Sequence, residues 1–304
     1  MLLSAFLDAV HPGPGQRWVD GTFGRGGHSG ALLEAGAEVL ALDRDATAET
    51  RAGELERRWN ERFRWRRANF SEVEAVCGRD GWNQVDGVLL DLGISSPQVD
   101  EAERGFSFRL EGPLDMRMDQ RQELTAATVV NGWEESELSR IFYELGDEEC
   151  SRRIARAIVA RRDRAPFRTT LELANVVAQA VPGRRARGIH PATKVFQALR
   201  IYVNAEGEAL MTVLPAATRL LRPGGALAVI SFHSGEDKVV KNFMRTHAAA
   251  YLDTPRVPQS VPNPEHWFAK VKRFMPDERE KEKNPRARSA RLRIAWKKEA
   301  EAES

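Results

Sequence analysis

The feature that most constrains this chain is the alternation of short strand-like runs with helical segments before residue 94. The strand-like runs are 17–20, 39–43, 63–69 and 85–93, and helical segments separate them. This alternation is typical of a parallel sheet with right-handed crossover connections. The last run, VDGVLLDLG, is apolar at consecutive positions, as in strands that helices cover on both faces. The sequence therefore predicts an α/β fold with a Rossmann-like sheet.

The strand signal stops near Arg104, and helical periodicity replaces it as far as Leu214. Within this stretch Thr169 and Glu172 have the spacing of a capping box at a helix N-terminus. After a predicted turn at 222–225 a strand-like run resumes, and two later runs could supply a closing antiparallel pair. We expect residues 1–103 to form the first part of the α/β domain, 104–214 an all-helical insert that recognises substrate, and 215–304 the closing strands and tail.

Composition excludes several classes of protein. The chain is 42% hydrophobic and 30% charged, and no apolar run approaches the roughly 20 residues of a membrane span. The first segment has no basic start and contains Asp8, unlike a signal peptide. Cys77 and Cys150 are far apart, and the histidines have no metal-binding spacing. We therefore predict a cytoplasmic protein with no membrane span, no disulfide and no metal ion.

Basic residues are concentrated in the middle of the chain, although the formal net charge is only +2. The arginines of this region are Arg152, Arg153, Arg156, Arg161, Arg162, Arg164 and Arg168, followed by Arg184, Arg185 and Arg187. A charge run is commonly a solvated helix face, but the near absence of acids here favours phosphate binding. Arg152, Arg153 and Arg156 are the candidate contacts to a nucleic-acid backbone.

A glycine-rich turn, DGTFGRGGHS at 20–29, joins the first strand to the first helix. Ligands bind at this place in α/β folds because glycine backbone and helix N-terminal N–H groups can approach them closely. Asp20 at the strand end disfavours a pyrophosphate and suits a ligand with a cationic end, such as S-adenosylmethionine. Asp43 ends the second strand, where a carboxylate can accept hydrogen bonds from ribose hydroxyls. The turn therefore predicts a nucleotide-like ligand rather than simple packing of helix on sheet.

A second motif, DLGISSPQ at 91–98, follows the fourth strand at the carboxyl edge of the predicted sheet. Ser96-Pro97 resembles the start of the Asp/Asn/Ser-Pro-Pro-aromatic loop of enzymes that methylate exocyclic amines of bases. Such an amine is a poor nucleophile, and a serine oxygen and a proline-fixed carbonyl can hold it in line with a methyl group. Methylation at cytosine C5 would need a cysteine in this loop, and neither cysteine lies there. Asp91, Ser96 and Pro97 are therefore the candidate catalytic residues.

Long strings of the sequence resemble the bacterial small-subunit ribosomal RNA cytosine-N4 methyltransferase family, of the RsmH or MraW type. The strings are DGTFGRGGHS, LLDLGISSPQ, ERGFSF with GPLDMRMD, HPATKVFQALRIYVN, ISFHSGEDKVVK and NPRARSARLR, and they cover nearly the whole chain. The resemblance implies a class I S-adenosylmethionine methyltransferase sheet with a helical insert. It also implies methyl transfer from S-adenosylmethionine to a cytidine in the decoding region of 16S ribosomal RNA within the small ribosomal subunit.

The resemblance further implies a set of cofactor contacts: Gly26, Gly27, His28, Asp43, Phe70, Asp91 and Gln98. Two positions depart from related patterns. Ala5 stands where the family usually has a glutamate. Gln98 stands where related DNA enzymes have an aromatic residue, so we expect Phe106 and Phe108 to be the candidates for stacking on the target base. Packing in the core of the insert is the alternative interpretation of both phenylalanines.

Two histidines have candidate roles near these motifs. His28 lies at the start of the first helix after the glycine turn, where a neutral ring is favoured, and we predict cofactor binding rather than base catalysis. His233 lies in ISFHS at a strand end and could orient the substrate or accept a proton. A purely structural hydrogen bond is the alternative role for His233.

Two other functions stay open from the residues alone. One is a DNA amino-methyltransferase, which the Ser-Pro loop favours but which lacks a recognisable target-recognition segment here. The other is a ribosome-assembly factor that binds RNA through its basic insert and keeps the cofactor only as a stabilising ligand. Loss of turnover in a variant such as Ser96→Ala would separate an enzyme from a binding protein.

Overall fold

A computed structural model describes residues 1–181, 190–252 and 260–300. The chain divides into two compact units, which we call the sheet unit (Met1–Gly93 with Glu208–Ser304) and the helical unit (Ile94–Gly207). The helical unit is thus an insertion between two parts of the sheet unit. Its limits fall earlier in the chain than the sequence-based boundaries at 104 and 214, because Leu210 and Leu214 pack into the core of the sheet unit.

Seven strands form the main sheet, and a separate pair forms a small two-stranded sheet. The strands are β1 (Arg17–Asp20), β2 (Glu38–Asp43), β3 (Phe63–Arg67), β4 (Val85–Asp91), β5 (Leu221–Ser231), β6 (Tyr251–Leu252), β7 (Val261–Pro262), β8 (Phe268–Phe274) and β9 (Arg291–Lys297). The order in the main sheet is β3-β2-β1-β4-β5-β9-β8. Strands β1 to β5 pair in parallel, whereas β9 is antiparallel to both β5 and β8. The predicted Rossmann-like sheet with a closing antiparallel pair is confirmed.

Helices cover the sheet and build the inserted unit. They are α1 (Leu3–Val10), α2 (Gly27–Glu34), α3 (Glu49–Trp59), α4 (Val73–Arg79), α5 (Ser96–Asp100), α6 (Ala126–Gly132), α7 (Glu135–Gly146), α8 (Ser151–Arg162), α9 (Thr170–Ala180), α10 (Ala192–Val203), α11 (Glu206–Leu220), α12 (Ser234–Ala248) and α13 (Glu278–Lys283). Within the described ranges, no helix is both long enough and apolar enough to cross a membrane.

Both faces of the central part of the sheet are buried. Along β2, Leu40 and Leu42 pack into one hydrophobic cluster while Val39 and Ala41 pack into the other. Successive side chains of a strand point to opposite faces, so two buried faces require apolar residues at consecutive positions. This explains the uninterrupted apolar runs of the sequence, and it leaves the strand ends as the place where polar residues collect.

One sequence expectation was wrong: Arg222-Pro223-Gly224-Gly225 is not a free turn before the fifth strand. Strand β5 already begins at Leu221, which pairs with Val85, and regular pairing resumes at Ala226 opposite Gly87. The intervening residues form an irregularity in the ladder, and Gly224 there has φ +74°, a value that glycine adopts without strain. The turn signature therefore marks a bulge inside a strand.

The helical unit has its own hydrophobic core, formed by helices α6 to α10 and the segment before them. The capping box predicted at Thr169 is present, since Thr169 accepts from Glu172 N–H and the Glu172 side chain accepts from the backbone N–H of Thr169. Pro191 is the N-cap residue of α10, as a helix start at proline predicts. The unit is therefore a compact all-helical body, as its periodicity indicated.

Candidate active site

Three carboxyl groups lie at the carboxyl ends of neighbouring strands: the buried Asp20 on β1 and the half-buried Asp43 on β2 and Asp91 on β4. Asp20 is 1% exposed; its Oδ2 accepts from Ser29 Oγ (2.7 Å) and its Oδ1 from Thr22 N–H (3.2 Å). Burial raises the pKa of Asp20 to about 6, and these hydrogen bonds only partly offset the rise. The first strand therefore ends in a carboxyl group that is costly to ionise without a nearby cation.

Asp43 organises the glycine-rich turn. Its Oδ2 accepts from Gly24 N–H (2.7 Å), and its Oδ1 accepts from Asp45 N–H (2.9 Å). Burial raises its pKa, and the two backbone hydrogen bonds oppose the rise. A carboxylate has about four acceptor positions, so two backbone contacts leave capacity for the hydroxyls of a ribose.

Asp91 is the most perturbed of the three acids. Its backbone N–H donates to Thr22 Oγ1 (2.5 Å), and its Oδ2 lies 3.9 Å from the α-ammonium of Met1. Among the described residues its Oδ1 is buried and has no hydrogen-bond partner. Burial raises the pKa of Asp91 to about 7; the ammonium group lowers it, and Asp20 raises it further. This carboxyl group is therefore suited to a cationic or hydrogen-bond-donating ligand.

His28 is buried beside Asp91. Its Nε2 lies 3.0 Å from the carbonyl oxygen of Met1, and its Nδ1 lies 3.6 Å from Asp91 Oδ2. Burial lowers the pKa of His28 to about 4, and the nearby ammonium group lowers it too. The ring is therefore neutral at physiological pH and anchored to backbone, as expected for a contact residue rather than a base.

The glycine turn leaves open space next to these acids. Gly26, the N-cap of α2, has φ +70°, and a Cβ there would come within 2.7 Å of the Phe23 ring. A Cβ on Gly21 would meet Leu90 at 2.6 Å and Phe70 at 3.2 Å. On Gly27, by contrast, a Cβ would meet no protein atom within 4 Å. Two of these glycines are needed for packing, and the third borders open space.

This arrangement fits S-adenosylmethionine. Its ammonium and sulfonium groups match the carboxyl groups at the strand ends, where Asp91 has an oxygen without a hydrogen-bond partner among the described residues, and its ribose matches an acceptor such as Asp43. A pyrophosphate would be repelled by the same carboxyl groups. Phe70 is 9% exposed and packs beside Gly21, and its contact with the cofactor stays a prediction.

The second motif continues the chain from the end of β4. Leu92 N–H still donates to Ile230 O (2.9 Å), and Gly93 then turns the chain with φ +100°. Ser96 begins α5 and Pro97 follows it. Gln98 is 5% exposed, and its Oε1 accepts from Ser95 N–H (2.9 Å). Gln98 thus secures the loop before α5, and the cofactor contact that the resemblance implies for it stays a prediction.

His233 has a clear structural role. It is the N-cap residue of α12, and its Nδ1 accepts from Glu236 N–H (3.4 Å). Its Nε2 lies 3.0 Å from Glu236 Oε1 but without hydrogen-bond geometry. Because Nδ1 is an acceptor, the neutral ring carries its proton on Nε2. The structure thus shows a structural role for His233, and its role in orienting the substrate or accepting a proton stays a prediction.

The two phenylalanines expected to stack on the target base differ in burial. Phe106 is 7% exposed and packs in the core of the helical unit. Phe108 is half-buried, and its ring centroid lies 4.5 Å from that of His190 and 4.9 Å from that of Phe196. Of the two, Phe108 keeps the more accessible ring, so it is the better candidate for a base contact.

The arginines of α8 and the following loop also differ among themselves. Arg162 donates to the carbonyl oxygens of Val130 (2.9 Å) and Trp133 (2.6 Å), which is a structural task at the end of α6. Arg152 and Arg153 are exposed, and the side chain of Arg156 is 78% exposed with only a 3.6 Å contact to Glu135. The candidate phosphate contacts Arg152, Arg153 and Arg156 are therefore all open to solvent. The further arginines Arg184, Arg185 and Arg187 lie outside the described residues.

Sequence reasoning missed two residues of the site, Thr22 and Ser29. Thr22 contacts both acids, through its N–H to Asp20 and its Oγ1 to the Asp91 N–H. Ser29 is fully buried and donates to Asp20. Both lie inside the glycine-rich string, so their position was visible, but hydroxyl partners of buried acids are identified only by three-dimensional contacts.

Comparison with known proteins agrees with this geometry. The family model described as "MraW methylase family" matches residues 1–298. A relative from Chelativorans sp. named "Ribosomal RNA small subunit methyltransferase H" is 47% identical over 97% of this chain and 86% of its own length. The relatives with this name from Thermomicrobium roseum and Brucella ovis are 47% and 45% identical, over 97% and 98% of this chain and 92% and 87% of their own lengths. In the described ranges no group of three or more His, Cys, Asp or Glu residues is placed to hold a metal ion. The chain belongs to the MraW methylase family.

Proposed function

We propose that this protein transfers a methyl group from S-adenosylmethionine to N4 of a cytidine in the decoding region of 16S ribosomal RNA in the small ribosomal subunit. The observation that carries the proposal is Asp91, with one buried carboxyl oxygen unpartnered among the described residues, beside an open glycine turn in a chain of this family. The name shared by relatives at 45–47% identity supports the same substrate. A ribosomal substrate also supports a cytoplasmic location.

The residues of the sheet unit suit this cofactor in distinct ways. Asp43 would accept from the ribose, Gly26 and Gly27 would let the ligand approach the backbone, and Asp91 with His28 would contact its amino-acid part. When bound, S-adenosylmethionine supplies an electrophilic methyl group on a positively charged sulfur. Phe70 and its apolar neighbours exclude water from this part of the site, which strengthens the attraction between the carboxylates and a cation.

The loop after β4 would act on the target amine. The N4 nitrogen forms the new bond to the methyl carbon as the carbon–sulfur bond breaks, and one N–H proton must then leave. Ser96 and the carbonyl next to Pro97 would accept hydrogen bonds from the amine and align it. Asp91, whose pKa burial raises to about 7, is suited to take the proton at a carboxylate oxygen. His233 would orient the substrate by fixing the turn that begins α12, since its own Nε2 is buried.

RNA contacts would come from the helical unit. Arg152, Arg153 and Arg156 would bind phosphates, which positions RNA without reading its sequence. Phe108 would stack on the target base, with Phe106 supporting it from the core. The cytidine must leave its stack before the amine can reach the cofactor. We therefore expect free cytidine to be a poor substrate.

The deciding experiment supplies labelled S-adenosylmethionine and small ribosomal subunits that lack the native modification. Nucleoside mass spectrometry of the RNA should then detect N4-methylcytidine. Duplex and single-stranded DNA serve as competing substrates, and label on DNA alone would move the function to a DNA amino-methyltransferase. No label on RNA in any assembly state would favour an RNA-binding assembly factor instead.

Gly27→Ala is expected to fold normally and to lose cofactor affinity. The added Cβ meets no protein atom, so the free energy of unfolding should change little, but it occupies the space where the cofactor would approach α2. We expect calorimetry to give a Kd for S-adenosylmethionine about 10-fold or more above that of the parent protein. Gly30→Ala, in the same helix and also facing open space, is the matched control and should keep its affinity. Equal affinities of the two variants would contradict this placement.

Affinity for S-adenosylmethionine is expected to increase as the pH rises through 6 and 7. Burial raises the pKa of Asp20 to about 6 and that of Asp91 to about 7, so both carboxyl groups are protonated in acid and ionised above these values. Only the ionised forms attract a cation. Calorimetric titrations between about pH 5.5 and 8.5 measure the effect. S-adenosylhomocysteine, whose sulfur is neutral, should show a weaker pH dependence, and identical profiles for the two ligands would exclude the carboxyl groups as the cause.

A further inference from the structure

Two motifs meet at one carboxyl group, and His233 is the only residue of either motif that has a role in the proposed chemistry. Asp237, in the first turn of α12, belongs to the ISFHSGED string, and Arg291 and Arg293 belong to the NPRARSARLR string on β9. Arg293 donates to Asp237 through Nε (2.8 Å) and Nη2 (3.1 Å), and Arg291 donates through Nη1 (3.0 Å). We call these three residues the Asp237 clamp.

Two members of the clamp, Asp237 and Arg293, are buried, and all three members are charged. Asp237 and Arg293 are each 8% exposed. Burial alone would raise the pKa of Asp237, but the hydrogen bonds and charge of Arg293, supported by Arg291, lower it, so the pair stays ionised. Buried ion pairs contribute little net stability compared with apolar packing, and their value lies in fixing one geometry. A bidentate fork between a helix and a strand fixes both the distance and the rotation of the helix.

The helix that the clamp holds begins at the candidate site. His233 is its N-cap, and Glu236 Oε2 accepts from Phe232 N–H (3.0 Å) within the same turn. The strand that holds it, β9, pairs with β5 through Arg291 opposite Ser231. On its other side β5 pairs with β4 through Ile230 opposite Asp91. A continuous path of backbone pairing and charge-assisted hydrogen bonds therefore links Asp91 to the turn that carries His233.

We propose that the Asp237 clamp positions His233 relative to Asp91, so that Asp237, Arg291 and Arg293 are positioning residues for methyl transfer. The inference rests on the proposed function, because it assigns the clamp to the step at the target amine. Arg291 sits at the rim with its side chain 39% exposed, whereas Arg293 closes the inner side with its side chain 10% exposed. Arg293 should therefore contribute more to positioning than Arg291.

The test uses Asp237→Asn and Arg293→Lys, which remove the charge or the fork with little change in volume. Misplacement of an orienting group typically costs about 10- to 100-fold in turnover, so kcat should fall by that factor while the Kd for S-adenosylmethionine changes less than about twofold. Combined with His233→Ala, each clamp variant should cost no more than His233→Ala alone, because the clamp acts through that residue. Arg291→Lys is the mild variant if either of the others folds poorly.

The matched control is the bidentate pair Arg219–Glu74 in the same unit, with Arg219 donating from Nε (2.8 Å) and Nη2 (2.7 Å) on the surface. Arg219→Lys should leave kcat unchanged. A second readout is independent of activity: the ring resonances of His233, identified by their loss in His233→Ala, should shift in Asp237→Asn. Additive kinetic costs, or His233 resonances that do not change, would overturn the proposal. The wild-type protein could instead methylate no RNA while the His233 resonances still shift in Asp237→Asn. That result would refute the proposed function but leave the positioning of His233 by the clamp intact.

Discussion

Asp91→Asn is expected to abolish most methyl transfer and at the same time to stabilise the unliganded protein above neutral pH. Asparagine keeps the shape of the side chain but can neither take a proton at this position nor attract a cation. Loss of a positioned proton acceptor typically costs about 10²- to 10⁴-fold in rate, and we expect a loss in that range under single-turnover conditions. The same substitution removes a buried group whose ionisation opposes folding.

The stability effect has a defined sign. The folded-state pKa of Asp91 is about 7, above the ordinary 3.8 of the unfolded chain, so its contribution to stability is fully present below pH 3.8 and is lost as the pH rises through 7. The asparagine side chain of the variant cannot ionise, so the Tm of the variant should exceed that of the parent at about pH 8 and match it more closely near pH 4. Asp8→Asn, outside the site, is the control. Full activity, or lower stability at pH 8, would contradict the assignment.

We expect RNA binding to weaken strongly, and cofactor binding not to change, when three exposed arginines of α8 are replaced by glutamate. These arginines are Arg152, Arg153 and Arg156. Each neutralised phosphate contact contributes about 0.7 to the slope of log K against log salt for a single strand, so losing three should reduce that slope by about 2. At moderate salt this corresponds to a loss of about 100-fold or more in affinity. Filter binding of small subunits or RNA over a salt series measures both quantities.

The control reverses three arginines on α3 of the sheet unit, Arg51, Arg57 and Arg58, which are also exposed. This variant changes the net charge by the same amount, so it separates a local phosphate contact from a general effect of charge. Equal losses in the two variants would indicate that α8 has no special role. A parallel loss of S-adenosylmethionine affinity in the α8 variant would indicate misfolding.

The sheet and the glycine turn could be predicted because their signals are local. The consecutive apolar residues of β4 follow from burial on both faces, and the acids Asp20 and Asp43 end strands whose carboxyl edges must lie together in a parallel sheet. The capping box at Thr169 was equally visible, because both partners lie within one helical turn. In each case the physical cause acts over a few residues.

The features that escaped prediction depend on contacts between distant segments. Ser29 had no assigned role within the glycine-rich string, and only the fold brings its hydroxyl within 2.7 Å of Asp20. In the sequence Arg162 was one of a run of positive charges, yet its guanidinium donates a hydrogen bond to a carbonyl group of α6. The Arg-Pro-Gly-Gly sequence indicated a turn, but pairing of Leu221 with Val85 extends the strand across it. In all three cases the structure depends on contacts between segments that are distant in sequence.

The interruption of the sheet by the helical unit has a consequence for synthesis. Strands β1 to β4 leave the ribosome before residues 94–207, whereas β5, the partner of β4, follows them. Until then β4 has an unpaired edge, and such edges are templates for incorrect association. Helical bodies with local contacts fold quickly, and a folded insert would shorten the effective loop that joins β4 to β5. The insert would thus govern how long a nascent chain stays prone to aggregation, and weakening its core would reduce the yield of folded enzyme even where every strand is intact.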